Sequence, residues 1–328
     1  MRRYLLSAWC CVISGVAFAQ YVPNNSQAFQ FINLYNPAFS GIEPFTDIKL
    51  GYRYQWAGIE GAPKALNLSI NTRTKQPLDL VYNTPRSSNL NLKIPKKKLM
   101  LHGLGVNVFS TTYGQIKTVG GALNYSLHFA VSRKLRAAVG VGAILNNTKL
   151  SMEGLTVREP INDAYYNSLL QNGSTTTELN VRAGALLYSR NFYFGFSYLP
   201  VFQKALQSTD LSLTKPFYRG SAQLGVSLPV NTVVDIKPSV VAMVQMNNSV
   251  TMDYTIKAYM RDLLWFGFSY RSVQSGVALF GLNVNQTFGF AYSYEMSLSK
   301  FKQFNGGSHE MVLAIRLNNF KHQEQYTW

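Results

Sequence analysis

Between residues 47 and 56 the chain alternates without a break. Ile48, Leu50, Tyr52, Tyr54 and Trp56 are apolar or aromatic, while Asp47, Lys49, Gly51, Arg53 and Gln55 are polar or tiny. Successive side chains of a strand point to opposite faces, so this run has one apolar wall and one wet wall. About ten residues is also the length a tilted strand needs to cross a bilayer. A chain built from many such runs folds as a transmembrane β-barrel, with lipid outside and a polar interior.

The pattern recurs. Leu66, Leu68 and Ile70 alternate with Ala65, Asn67, Ser69 and Asn71, and Leu123, Tyr125, Leu127, Phe129 and Val131 alternate with Asn124, Ser126, His128 and Ala130. Leu264, Phe266, Phe268 and Tyr270 alternate with Trp265, Gly267, Ser269 and Arg271, where Trp265 breaks the polar side. Phe288, Phe290, Tyr292 and Tyr294 keep the same step. Strands are predicted at 47–56, 65–71, 101–109, 117–131, 135–145, 179–188, 192–199, 217–228, 232–246, 252–260, 263–271, 276–282, 287–296 and 309–317. That is about fourteen, the even count expected of a bacterial up-and-down antiparallel barrel. The soluble alternative, a pair of β-sandwiches, calls for a domain boundary near the middle. No linker is visible there, and the polar alternate positions are small or amide-bearing rather than richly charged.

Between the strands, residues 21–45 form an irregular lead-in. Its turn formers Asn36-Pro37 and Ser40-Gly41 predict a fixed bend feeding the first strand. Residues 74–99 carry Pro77, Pro85 and Pro95 together with Arg86, Lys93, Lys96, Lys97 and Lys98, and are expected to be a long basic loop. Residues 146–178 are expected to be irregular with a short helix at about 161–170, and 200–216 to be a loop. With both termini periplasmic, the short turns at Ser132, Ser189, Pro229, Arg261 and about Asn283 share the periplasmic side, as barrels of this kind require. The basic 74–99 loop then breaks the rule by being long on that side, which makes it a candidate surface for a periplasmic partner.

The apolar fraction is 47%, yet no segment beyond the leader has eighteen consecutive apolar residues, so no helical span is predicted. The leader itself has Arg2 and Arg3, an apolar run over residues 4–16, and Ala17-Phe18-Ala19 before Gln20, the three parts of a cleaved secretory signal. The expected division is therefore a signal at 1–19, a periplasmic lead-in at 20–46, the barrel at 47–318 and a tail at 319–328. Both cysteines, Cys10 and Cys11, fall in the signal, so disulfides and thiol chemistry are not expected in the mature chain. The net charge of +16 becomes +14 without Arg2 and Arg3. Its spread suits solvated rims, a basic lumen and contact with lipopolysaccharide phosphates better than nucleic acid, which a secreted protein rarely meets.

Chemistry is sparse. His102, His128, His309 and His322 have no metal-ligand spacing, no serine sits in a G-x-S-x-G turn, and the carboxylates do not gather into a recognisable pair. The expectation is no enzyme activity, no metal and no cofactor.

Two blocks resemble a known family. The first is Asn36-Pro37-Ala38-Phe39-Ser40-Gly41, then Tyr52-Arg53-Tyr54-Gln55-Trp56, then Gly61-Ala62-Pro63. The second is Ala291-Tyr292-Ser293-Tyr294-Glu295, then Gly307-Ser308-His309-Glu310-Met311. In order and spacing they resemble the PorP/SprF family, across nearly the whole mature chain. Two departures are Glu295, where Asp is commoner, and the 74–99 stretch, which looks like an insertion. The resemblance implies an outer-membrane barrel of Bacteroidetes type, tied to type IX secretion and gliding motility. It implies one of two roles: linking the periplasmic lipoprotein ring to the outer membrane, or pairing with the C-terminal domain of a large secreted adhesin to support its export or surface attachment. A porin-like channel for small or anionic solutes is the competing expectation from the basic lumen. Arg53 and Gln55 are expected to bond inside the lumen, Trp56 to sit in an interfacial girdle, and Gly61 and Pro63 to shape the first hairpin. Ser308, His309 and Glu310 are expected to open the last strand beside the first.

Overall fold

The computed structural model describes residues 25–74, 100–132, 134–151, 167, 174–208, 218–245, 249–260 and 263–319. Fourteen antiparallel strands are β1 (Thr46–Tyr54), β2 (Lys64–Arg73), β3 (Met100–Tyr113), β4 (Ile116–Ala130), β5 (Arg136–Leu150), β6 (Ser174–Tyr188) and β7 (Phe192–Ser208). They continue as β8 (Tyr218–Val226, resuming at Leu228–Pro229), β9 (Val234–Gln245), β10 (Val250–Met260), β11 (Leu264–Arg271), β12 (Ser275–Asn283), β13 (Phe288–Ser297) and β14 (Ser308–Leu317). Each strand pairs with the next, and β14 returns to β1 with Leu317 opposite Thr46 and His309 opposite Tyr54. The sheet is therefore a closed barrel without an edge, which satisfies every ladder group inside a membrane.

The wall is inverted relative to a soluble protein. Leu50, Leu123, Phe196 and Phe268 are exposed on the outside, whereas Arg182, Lys257, Ser293 and Glu310 are almost fully buried on the inside. That is the alternation read from the sequence, with lipid in place of a core. Among the described residues no helix is long and apolar enough to cross a membrane.

Strand ends differ from the sequence expectation in three places. Residues 146–150 and 174–178, expected as irregular, lengthen β5 and β6 to 15 residues each. Residues 200–208, expected as a loop, lengthen β7 to 17 residues. These extensions are rich in Asn, Thr and Gln and exceed the span a bilayer needs, so no apolar alternation marks them. In the other direction β1 stops at Tyr54; Trp56 has φ 51°, in the left-handed region, and belongs to the turn. The helix expected at about 161–170 and the basic loop at 74–99 lie outside the described residues, apart from Asn167 and Thr74.

The largest difference concerns the lead-in. Asn25–Phe45 is not a bend beside the barrel. It runs through the lumen as three short helical turns, Ala28–Phe31, Ile32–Tyr35 and Pro37–Phe39, and Phe31, Asn36, Ala38 and Phe39 are at most 2% exposed. Phe29, Phe31, Ile32 and Phe39 form one apolar cluster with Tyr193, Tyr259, Trp265 and Val277 of the wall. Trp265, the residue that broke the polar side of β11, breaks it because Phe29 packs edge-on against its ring at 5.8 Å. A lone segment with this many aromatic groups has no other place to bury them.

Candidate functional site

The two family blocks meet at the barrel seam. Arg53 on β1 stands opposite Glu310 on β14, the strand that closes the ring. Its guanidinium donates to Glu310 Oε2 at 3.3 Å and to Glu295 Oε2 on β13 at 3.0 Å. A second arginine, Arg271 at the end of β11, donates to both oxygens of Asp253 at 2.7 and 2.8 Å and lies 3.5 Å from Glu295. Three carboxylates and two guanidiniums thus share one buried cluster. The sequence expectation that the carboxylates do not gather is corrected here. Asp253, Glu295 and Glu310 are spread over β10, β13 and β14, which the sheet order brings together, and ring closure adds Arg53 from β1.

The start of the lumen segment is tied into that cluster. Ser26 donates its N–H to Glu310 Oε2 and its hydroxyl to Glu295 Oε2, both at 2.6 Å, while Arg53 donates to the same hydroxyl. Arg271 donates to the Asn25 carbonyl at 2.9 Å, and Asn67 donates to the Asn25 side chain at 3.1 Å. Arg53, Arg271 and Glu310 all lie near the strand ends opposite Thr46 and Leu317. The segment therefore enters at one end of the lumen, at Asn25, and leaves at the other, at Phe45.

Midway, Asn36 grips the wall. Its Nδ2 lies within hydrogen-bond distance of the Ala185 and Phe196 carbonyls and of Gln223 Oε1, at 3.3, 3.2 and 3.0 Å. Its Oδ1 accepts from the Ala38 N–H at 3.0 Å, capping the turn that Pro37 starts. Next to it Arg182 donates to the Leu34 and Asn33 carbonyls and to Asn124 Oδ1. Glycine makes the room. A Cβ on Gly140 would stand 2.5 Å from the Ala38 nitrogen, and one on Gly184 would collide with Asn36 Oδ1.

Towards the exit, the Ser40 carbonyl accepts from Ser126 Oγ at 2.5 Å and from His128 Nε2 at 2.8 Å, which leaves His128 Nδ1 to accept from Tyr188 OH at 2.9 Å. Gly41, at φ 65°, passes against β3, where a Cβ would meet Gly103 Cα. Two cavities between segment and wall have volumes of only about 40 and 20 Å³, room for about one water molecule each.

The remaining motif residues frame the first turn. Gln55 accepts from Arg53 Nε at 3.4 Å through its side chain and donates its N–H to the Pro63 carbonyl at 2.9 Å. Trp56 donates its N–H to Ser308 Oγ at 3.2 Å and stacks edge-on with Phe301 at 5.1 Å. Gly61, at φ 69°, accepts from Gly114. His309 faces outward, 2.7 Å from Tyr292 OH. Arg86, Lys93, Lys96, Lys97 and Lys98 lie outside the described residues. The motif is thus one continuous device joining segment, first strand and last strand. Asn25, Ser26, Arg182, Asp253 and Arg271 belong to it but were not singled out from sequence. The available signal for Arg182, Asp253 and Arg271 was a charged residue at an inward strand position; Asn25 and Ser26, on no strand, carried none.

A family model described as "Type IX secretion system membrane protein PorP/SprF" matches residues 17–315. No curated protein matches significantly. Among solved structures, the Acinetobacter baumannii outer membrane protein Omp33 is 10% identical over 85% of this chain and 100% of its own, with a TM-score of 0.45. The Pseudomonas putida toluene transporter TodX is 12% identical over 89% and 94%, with a TM-score of 0.47. A Pseudomonas aeruginosa FadL homologue is 12% identical over 90% and 94%, with a TM-score of 0.45.

Proposed function

Since the chain belongs to the PorP/SprF family of type IX secretion membrane proteins, we propose that it is a filled outer-membrane barrel that serves the secretion machinery by binding. In this role it supports the export or surface attachment of sorting-domain proteins, or links the periplasmic ring to the membrane. The observation that carries the proposal is the lumen segment. A barrel whose interior is occupied by Asn25–Phe45, held at both ends and in the middle, is suited to presenting surfaces rather than to passing solutes. The buried carboxylates also fit a non-enzymatic part: Glu295 and Glu310 are taken up by Arg53, and Asp253 by Arg271.

The orientation proposed places Thr46 and Leu317 on the periplasmic side and, because the segment enters the lumen at the other end, Asn25 on the outer side, in place of the two periplasmic termini expected from sequence. Apart from the β2–β3 connection, turns at that end are short, such as 131–135 and 189–191, whereas β5–β6 and β7–β8 are joined by longer stretches at the other end. Residues 75–99 connect β2 to β3 on the periplasmic side, so Arg86, Lys93, Lys96, Lys97 and Lys98 are the proposed surface for a ring component.

Deletion of the gene followed by secretome and surface-protein analysis tests the role. Loss of one or more sorting-domain cargoes from the surface is expected, with rescue by the intact chain. Normal export of every such cargo alongside a permeability defect would overturn the proposal in favour of a porin-like channel. Membrane-impermeant maleimide tests the orientation: Glu60→Cys, in the turn after β1, should label in intact cells and Ser132→Cys should not.

A further inference from the structure

On the outer face, one cross-strand row runs through five strands in register. Tyr54 stands opposite Lys64, Lys64 opposite Thr112, Thr112 opposite Lys117, and Lys117 opposite Lys149. The three lysines are exposed. Neighbouring strands are about 4.8 Å apart, so Lys117 and Lys149 are adjacent and Lys64 is about 10 Å from Lys117. Like charges placed directly opposite each other are destabilising. Nothing among the described residues relieves them: no ion pair or hydrogen bond engages Lys117 or Lys149, and Lys64 lies over the Tyr54 ring at 5.5 Å.

The row marks the upper limit of the apolar wall. The next outward residues below Lys64 and Lys117 are Leu66 and Val119, both exposed, and Leu145 lies two outward positions below Lys149. To the side the row continues into Tyr54, His309 and Tyr294, an aromatic girdle of the kind found at headgroup level. Lysines at that level lay their stems along the apolar surface and hold their ammonium groups among the headgroups.

We propose that Lys64, Lys117 and Lys149 form a binding site for the phosphate groups of a phosphorylated outer-leaflet glycolipid of the lipid A class. The choice of leaflet rests on the orientation proposed above, since the row lies at the end opposite Thr46 and Leu317. The binding itself does not, and is tested on purified protein. The phosphate bridges the Lys117–Lys149 pair, the acyl chains lie against Val119 and Leu145, and Lys64 reaches a second anionic group across Thr112.

The test is binding of diphosphoryl lipid A to the detergent-purified full chain, read by native mass spectrometry, with heat-modifiable gel mobility as the check on folding. The variant Lys117→Gln/Lys149→Gln should lose about thirty-fold in affinity. Lys134→Gln/Lys300→Gln, off the row, should bind like the wild type. If the double variant does not fold, each single substitution serves and should lose several-fold. Equal binding by wild type and row variant overturns the proposal. So does wild-type affinity for dephosphorylated lipid A, or for phosphatidylglycerol, equal to that for the diphosphoryl form. Failure of Glu60→Cys to label in cells would overturn the orientation while leaving this result standing.

Discussion

Replacing Arg53 by leucine removes its bonds to Glu295, Glu310, Ser26 and Gln55 at one stroke, and the structure shows where the cost falls. The guidanium of Arg53 is 3% exposed and serves Glu295, Glu310 and Ser26 together. Of the two carboxylates, Glu295 keeps Arg271 at 3.5 Å and the Ser275 hydroxyl at 2.9 Å. Among the described residues the Glu310 carboxylate keeps the Ser26 N–H as its one hydrogen-bond donor, and Glu310 is 1% exposed. Removing one partner of a buried ion pair costs about 3–5 kcal/mol, because the other charge is left without compensation. The loss should therefore concentrate at Glu310 and amount to about two orders of magnitude or more in the folded-to-unfolded ratio. Urea unfolding of the purified barrel in micelles, followed by heat-modifiable mobility and tryptophan emission, measures it. Adding Glu310→Gln to Arg53→Leu removes the stranded charge and should recover at least half of the loss. The reasoning is refuted if Arg53→Leu unfolds within about 0.5 kcal/mol of the wild type, or if Glu310→Gln recovers nothing. In cells the same variant should lower folded yield more than it alters which cargo is exported.

Asn36→Ala deletes the grip on Ala185, Phe196 and Gln223 and the cap on Ala38, and should cost about 3 kcal/mol in the same urea titration at about 1 kcal/mol per bond. Gly184→Val places a side chain where Asn36 Oδ1 sits, so the segment is displaced; conductance in planar bilayers should rise above a nearly closed wild type, and unchanged conductance would refute the close fit. Phe29→Ala removes the ring under the Lys257 ammonium (3.4 Å) and against Trp265, and should cost about 3–5 kcal/mol with a red shift of tryptophan emission; an unshifted spectrum argues against the contact.

The strands were legible because the membrane enforces a strict two-residue period: Ile48 to Tyr54 and Phe288 to Tyr294 each advertise one lipid face. The period fades where lipid ends, which is why 146–150, 174–178 and 200–208 carry no strand signal in the sequence although their ladders continue. The lumen segment left no such mark. Its groups are matched one by one to the wall, Asn36 to a gap at Gly184 and Ser40 to Ser126 and His128, and such matching has no repeat length. Its counterpart in the sequence is subtler: glycines at inward phase, as at Gly140, Gly184 and Gly195, record that something passes close to the wall. The charge cluster was illegible for a different reason. Arg53 and Glu310 are 257 positions apart, and only the closing of the ring defines them as neighbours.

That separation bears on assembly. Ser26 bonds to Glu310 across 284 positions, and both partners of Arg53 sit on the last two strands to be made. Contacts of such long range form late. The Arg53–Glu310 pair cannot form while β14 is missing, and a sheet sealed without the segment would enclose Arg53, Glu295 and Glu310 with Ser26 absent. Threading the interior and sealing the ring therefore depend on each other through Glu310. A chain truncated before β14 keeps the ties of Asn25 to Arg271 and of Ser26 to Glu295 but leaves Arg53 and the Ser26 N–H without Glu310, so only the whole polypeptide completes the cluster.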